Sequence, residues 1–119
     1  MSVLGAIALL ATGPGAVRGQ DWPEWCRRGW LDFVCPMNYT NDDERFRANC
    51  ASHREALPAG FPVVQGVGIR SGNSLMDDPG QALLQIMLAR QNGAIGFVGF
   101  CYTPEHTAKL FGPLPALLD

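Results

Sequence analysis

Six side chains of this 119-residue chain have the chemistry to hold a sugar: Met37, Asn38, Tyr39, Asp42, Gln65 and Tyr102. Aromatic rings stack on the apolar faces of pyranoses, while amides and carboxylates bond their hydroxyls. Hydrolysing a glycosidic bond asks for more, normally two carboxyl groups roughly 5 to 9.5 Å apart. Asp42 and Asp43 follow a strand closely enough to reach such a site, yet they also stand where a helix N-terminus favours negative charge. Asp77 and Asp78 precede a proline-started helix, Glu105 falls in the first turn of another, and Asp32 begins a strand, so capping or structural roles explain them. No catalytic residue is assigned on this basis.

Other reactive types offer less. Cys26, Cys35, Cys50 and Cys101 lack CxxC spacing, and the two that fall in apolar strand-like runs, Cys35 and Cys101, read as small buried hydrophobes. His53 and His106 lie far apart without a Cys or Asp pattern and read as solvated or helix-packing residues. No metal and no cofactor is indicated. Asn38-Tyr39-Thr40 spells a glycosylation sequon, but its place at a buried strand end predicts no glycan there.

The elements that must position these groups alternate. Leu31 to Met37 is almost continuously apolar between Gly29 and the turn cluster Thr40-Asn41-Asp42-Asp43, the pattern of a parallel strand buried on both faces. Pro36 cannot donate to a ladder and belongs where that strand gives way to a loop. Strands are predicted near 2–10, 31–39, 62–69 and 94–102. Gly66 and Gly68 near the end of the third leave room for a ligand or another backbone. Between the strands, Asp21-Trp22-Pro23-Glu24 starts a helix that Gly29 closes, and Asp42 to Leu57 carries the stripe Phe46, Cys50, Leu57. Asp78-Pro79-Gly80-Gln81 resembles a capping box ahead of a helix to about Gln91, and Thr103-Pro104-Glu105 opens the last. This order requires right-handed crossovers and a parallel sheet, either a doubly wound open sheet or part of a barrel. The candidate sugar ligands fall at strand carboxyl ends, where such folds hold ligands.

Composition bounds the rest. A 47% hydrophobic content argues for one globular domain, and a net charge of -2 without any basic cluster beyond Arg27-Arg28 argues against nucleic acid. Neither GxGxxG nor GxxxxGK[ST] is present. Val3 to Ala11 could pass for the apolar region of a signal peptide, but no Lys or Arg precedes Arg18, and a buried strand followed by a Gly-rich loop is the favoured reading.

The segments Gln20-Asp21-Trp22-Pro23-Glu24-Trp25, Gly29 to Tyr39, Gln65-Gly66-Val67-Gly68-Ile69 and Gly93 to Phe100 together resemble the family 10 glycosyl-hydrolase-like proteins, glycosidase-related TIM barrels. The strongest part is Asp32-Phe33-Val34-Cys35-Pro36-Met37-Asn38-Tyr39 in order with Gly96-Phe97-Val98-Gly99-Phe100. The resemblance implies an α/β chain with a parallel (βα)4 arrangement, the carboxyl-terminal half of a (β/α)8 barrel, in one incomplete domain over 1–119. A full barrel takes about 200 residues or more. The family's carboxylate-bearing Asp-Gly-x-x-x-Asp-Tyr-x-Arg-Tyr type strand has no counterpart here. Chitinase-like barrels carry a similar Met-x-Tyr pointing into the sugar site, so Met37 and Tyr39 face the sugar or form the top core layer.

The expected function is accordingly that of a fragment that binds or acts on a polysaccharide or peptidoglycan-type glycan and is not catalytic alone. A glycosidase would require the missing amino-terminal half. The alternative is a non-catalytic carbohydrate-binding or partner-completing module, and a flavodoxin-like open sheet is the third reading. Unpaired first and last strand edges are expected to favour self-association or pairing with an amino-terminal half. Full-length relatives of this kind are often exported, which leaves the compartment open.

Overall fold

The computed structural model describes residues 8–10, 21–72 and 74–118. Most of the first predicted strand, and the Gly-rich loop after it, lie outside them. The described elements run β1 (Ala8–Leu10), α1 (Trp22–Arg27), β2 (Cys35–Met37), α2 (Asp43–Ala56), β3 (Val64–Gly68), α3 (Pro79–Gln91), β4 (Gly96–Phe100), α4 (Pro104–Phe111) and α5 (Leu114–Leu118).

Local chemistry explains the helix starts. Asp21, Asp42 and Asp78 are N-caps whose carboxylates accept from the backbone N–H groups of Glu24, Arg45 and Gly80. A side-chain oxygen there satisfies a donor that has no partner inside the helix, worth about 1 kcal/mol. The expected capping box at Asp78 is half made. Gln81 turns away from Asp78, and its Nε2 donates to the Asn41 carbonyl at 2.8 Å and to Asp43 Oδ1 at 3.1 Å. Gly29 ends the α1 turn with φ of 73°, a conformation that costs a side-chain-bearing residue about 1 kcal/mol or more.

The α/β alternation stands, but the (βα)4 half-barrel does not. The strands are three to five residues long and hydrogen-bond as two separate two-stranded parallel sheets, β1 with β2 and β3 with β4. Only the isolated bridge Val34–Val63 joins the sheets among the described residues. There the Val34 N–H donates to the Pro62 carbonyl and the Val34 carbonyl accepts from Val64. Two residues on, the next parallel-ladder donor would be Pro36, which has no N–H.

Burial on both faces holds for β3 but not for β2 or β4. One face of the sheets packs on helices, with Phe46 and Cys50 of α2, Val67 and Ile69, Ala82 and Ala89 of α3, and Leu110 of α4 in one cluster. A second cluster gathers Trp22, Cys26, Val34, Leu57 and Val63. Fully burying a Phe, Ile or Val contributes about 1.5–3 kcal/mol, so these clusters carry the fold. On β4, by contrast, Phe97, Val98 and Phe100 are all exposed.

Candidate functional site

Strand alternation divides the predicted sugar ligands between two faces. On β2 and its continuation, Val34, Pro36 and Asn38 are buried, whereas Cys35, Met37 and Tyr39 are half-buried on the other side. Asn38 is fully committed to the helix side: its Nδ2 donates to the Phe46 carbonyl at 3.1 Å, and its Oδ1 accepts from Asn49 at 2.9 Å. Gln65 shares a face of β3 with the core residues Val67 and Ile69, and its buried Oε1 has no hydrogen-bond partner among the described residues. Asp42 holds the start of α2 through Arg45 N–H at 3.1 Å. Of the six, Met37 and Tyr39 are half-buried while Asp42 and Tyr102 are exposed, Tyr102 at 73%.

The glycines resolve toward the chain itself. A Cβ on Gly66 would run into the Pro36 carbonyl oxygen, and one on Gly68 into the Ser74 hydroxyl and Tyr39. Close approach at the end of β3 thus serves the loop carrying Tyr39, which rides over the strand. Its ring stacks on Phe100, with centroids 5.2 Å apart and planes 7° from parallel. Burial, and secondarily Cys35, pushes the Tyr39 phenol upward, so the hydroxyl stays protonated and able to donate. Phe100 is 46% exposed. Tyr39 and Phe100 therefore form an aromatic ledge at the carboxyl ends of β2 and β4, and the exposed Tyr102, two residues past Phe100, lines a second pocket with Phe97 and Phe111.

Beside the ledge lies an open cleft of about 420 Å³ lined by Arg70, Thr103, Pro104, Glu105, His106 and Lys109. It is tied to the strand ends through Phe100, whose carbonyl accepts from Ile69 and Arg70, while Cys101 N–H donates back to the Arg70 carbonyl at 3.1 Å. His106 is half-buried and lines this cleft, whereas His53 is fully buried with its ring edge on Trp22 at 6.0 Å, a helix-packing residue. Among the described residues no group of three His, Cys, Asp or Glu could hold a metal.

The carboxylates are mostly spoken for. Asp42 and Asp78 cap helices, and Asp43 accepts from Gln81 and Gln85, each at 3.1 Å. Glu105 is the one carboxylate lining the cleft. The cysteines invert expectation: Cys26 and Cys50 on helices are buried, while Cys35 and Cys101 are half-buried. Burial pushes the Cys50 thiol up to about 12, against a smaller lowering by Asn38, and the Cys26 thiol up to about 11.

Sequence reasoning missed Phe100 and Arg70. Phe100 shares the strand parity of Val98, a pattern legible in the sequence; Arg70 shows itself only once the loop after β3 meets the end of β4. No family model matches this chain, and neither the curated proteins nor the solved structures hold a match to it.

Proposed function

We propose that this chain binds a polysaccharide or peptidoglycan-type glycan on the Tyr39–Phe100 ledge, with the exposed Tyr102 as a further stacking surface, and does not hydrolyse it by itself. The observation that carries the reading is the near-parallel stack of Tyr39 on a half-exposed Phe100, which presents flat aromatic surface beside a polar cleft. Pyranose faces pack on such surfaces, and the neighbouring polar groups supply bonds to hydroxyls. The resemblance to family 10 glycosyl-hydrolase-like proteins points the same way. Glu105 alone in the cleft, where glycoside hydrolysis normally takes two carboxyl groups, favours binding over turnover.

The test is an NMR titration with chitotriose and cellotriose. Shifts centred on Tyr39, Phe100 and Tyr102, and lost in Phe100→Ala, are expected. Saturable shifts elsewhere, or no shifts with either sugar, would overturn the reading.

A further inference from the structure

Resting on that reading, we infer that the glycan carries a carboxylate, and that the cleft beside the ledge seats it. Two permanent cations, Arg70 and Lys109, line the cleft against one carboxylate, Glu105. The surplus of one positive charge suits a singly charged carboxylate better than a phosphate, which carries up to two negative charges near neutral pH.

The uncharged lining also offers donors. Thr103 Oγ1 and His106 Nε2 are buried without a hydrogen-bond partner among the described residues, and both residues line the cleft. Buried polar atoms are nearly always paired, and an unpaired one costs about 1–3 kcal/mol. A hydroxyl and an Nε2–H can each donate to a carboxylate oxygen. Thr103 is the N-cap of α4, yet its hydroxyl makes no capping bond, so it is free to turn to a ligand; the helix N-terminus adds a weaker attraction of the same sign.

The existing charge contacts do not block the seat. Lys109 reaches Asp77 at 3.5 Å, but both side chains are more than half exposed, and pairs of that kind are held weakly. The Arg70 side chain is exposed at the strand end. Arg70 is tied to the ledge, its backbone N–H donating to the Phe100 carbonyl at 2.9 Å, so a ring stacked on Phe100 can present its carboxylate to the cleft. A uronic acid and a sugar with a lactyl ether side arm share that chemistry.

The experiment compares dissociation constants for chitotriose, trigalacturonate and a disaccharide containing N-acetylmuramic acid, at about 0.1 M ionic strength and again at about 1 M, where the Debye length is near 3 Å. One or both acidic sugars are expected to bind at least about tenfold tighter than chitotriose, the gain of a charge-assisted bond. That ratio should fall toward one at high salt and in Arg70→Gln, with Lys109→Gln as the second variant should the first not fold. Which acidic sugar binds tells a ring carboxylate from a side-arm one. Chitotriose binding as tightly as both acidic sugars would overturn the carboxylate seat and leave the glycan-binding reading standing. Binding of no saccharide would overturn both.

Discussion

Tyr39 and Phe100, 61 positions apart in the chain, lie face to face with ring centroids 5.2 Å apart. The contact joins the loop after β2 to the end of β4 across β3, whose glycines leave the space for it. An aromatic pair of this geometry is worth about 0.5–1.5 kcal/mol beyond its buried area. Its position makes Tyr39 a structural support and Phe100 the surface that remains for a ligand.

Tyr102→Ala should weaken glycan binding roughly three- to tenfold, the worth of one aromatic contact. Its ring is largely in solvent, so the melting temperature should stay within about 1–2 °C of the parent, the range of a surface substitution. Calorimetric titration and a thermal melt on the same sample check both statements. A large loss of stability would show that Tyr102 holds the fold.

Asn38→Ala should cost about 2–3 kcal/mol of folding free energy, because the Phe46 carbonyl and Asn49 lose a buried partner. Asp42→Ala, removing an exposed cap, should cost about 1 kcal/mol. Urea unfolding of the two variants orders them, and equal costs would contradict the burial of Asn38.

Gly68→Ala and Gly66→Ala should both destabilise, since the added Cβ meets the Ser74 hydroxyl and Tyr39 in one case and a fixed carbonyl in the other. Overpacking of this kind costs about 1–3 kcal/mol. Gly72→Ala meets nothing within 4 Å and should be neutral or slightly stabilising. Gly68→Ala should also disturb the Tyr39 ring, read as a change in its aromatic NMR resonances.

The two buried thiols set an alkaline limit. Their folded values, about 12 for Cys50 and about 11 for Cys26, lie above the ordinary 9.0. Below pH 9 both states hold the proton and stability is unaffected. As pH rises past 9 the unfolded chain releases protons that the folded chain keeps, so stability falls from there until the folded thiols ionise near pH 11 to 12. Denaturant unfolding across that window should show a shallower decline in Cys50→Ala than in the parent, whatever its stability at pH 7. At pH 8 neither thiol should react with iodoacetamide until the chain unfolds.

The sequence by itself determined where helices begin and that strands alternate with them, because caps, prolines and apolar runs act over a few residues. Asp21, Asp42 and Asp78 sit at the helix starts their types demand. That Pro36 cannot donate to a ladder is legible locally, but that it leaves only the Val34–Val63 bridge between two short sheets among the described residues depends on the register of β2 against β3.

Tertiary structure alone decided the faces. Asn38 and Tyr39 are adjacent and chemically equal candidates for a sugar, yet strand parity sends one to the Phe46 carbonyl and the other to Phe100. Asn41 pairs reciprocally with the backbone of Leu75, its Nδ2 and Oδ1 each 2.8 Å from their partners, and no local pattern announces a bond across 34 positions. Likewise Arg70 and His106 share a cleft because β4 and the loop after β3 end together. Local preferences are written in neighbouring residues; a binding surface is written in which distant residues the packing leaves side by side.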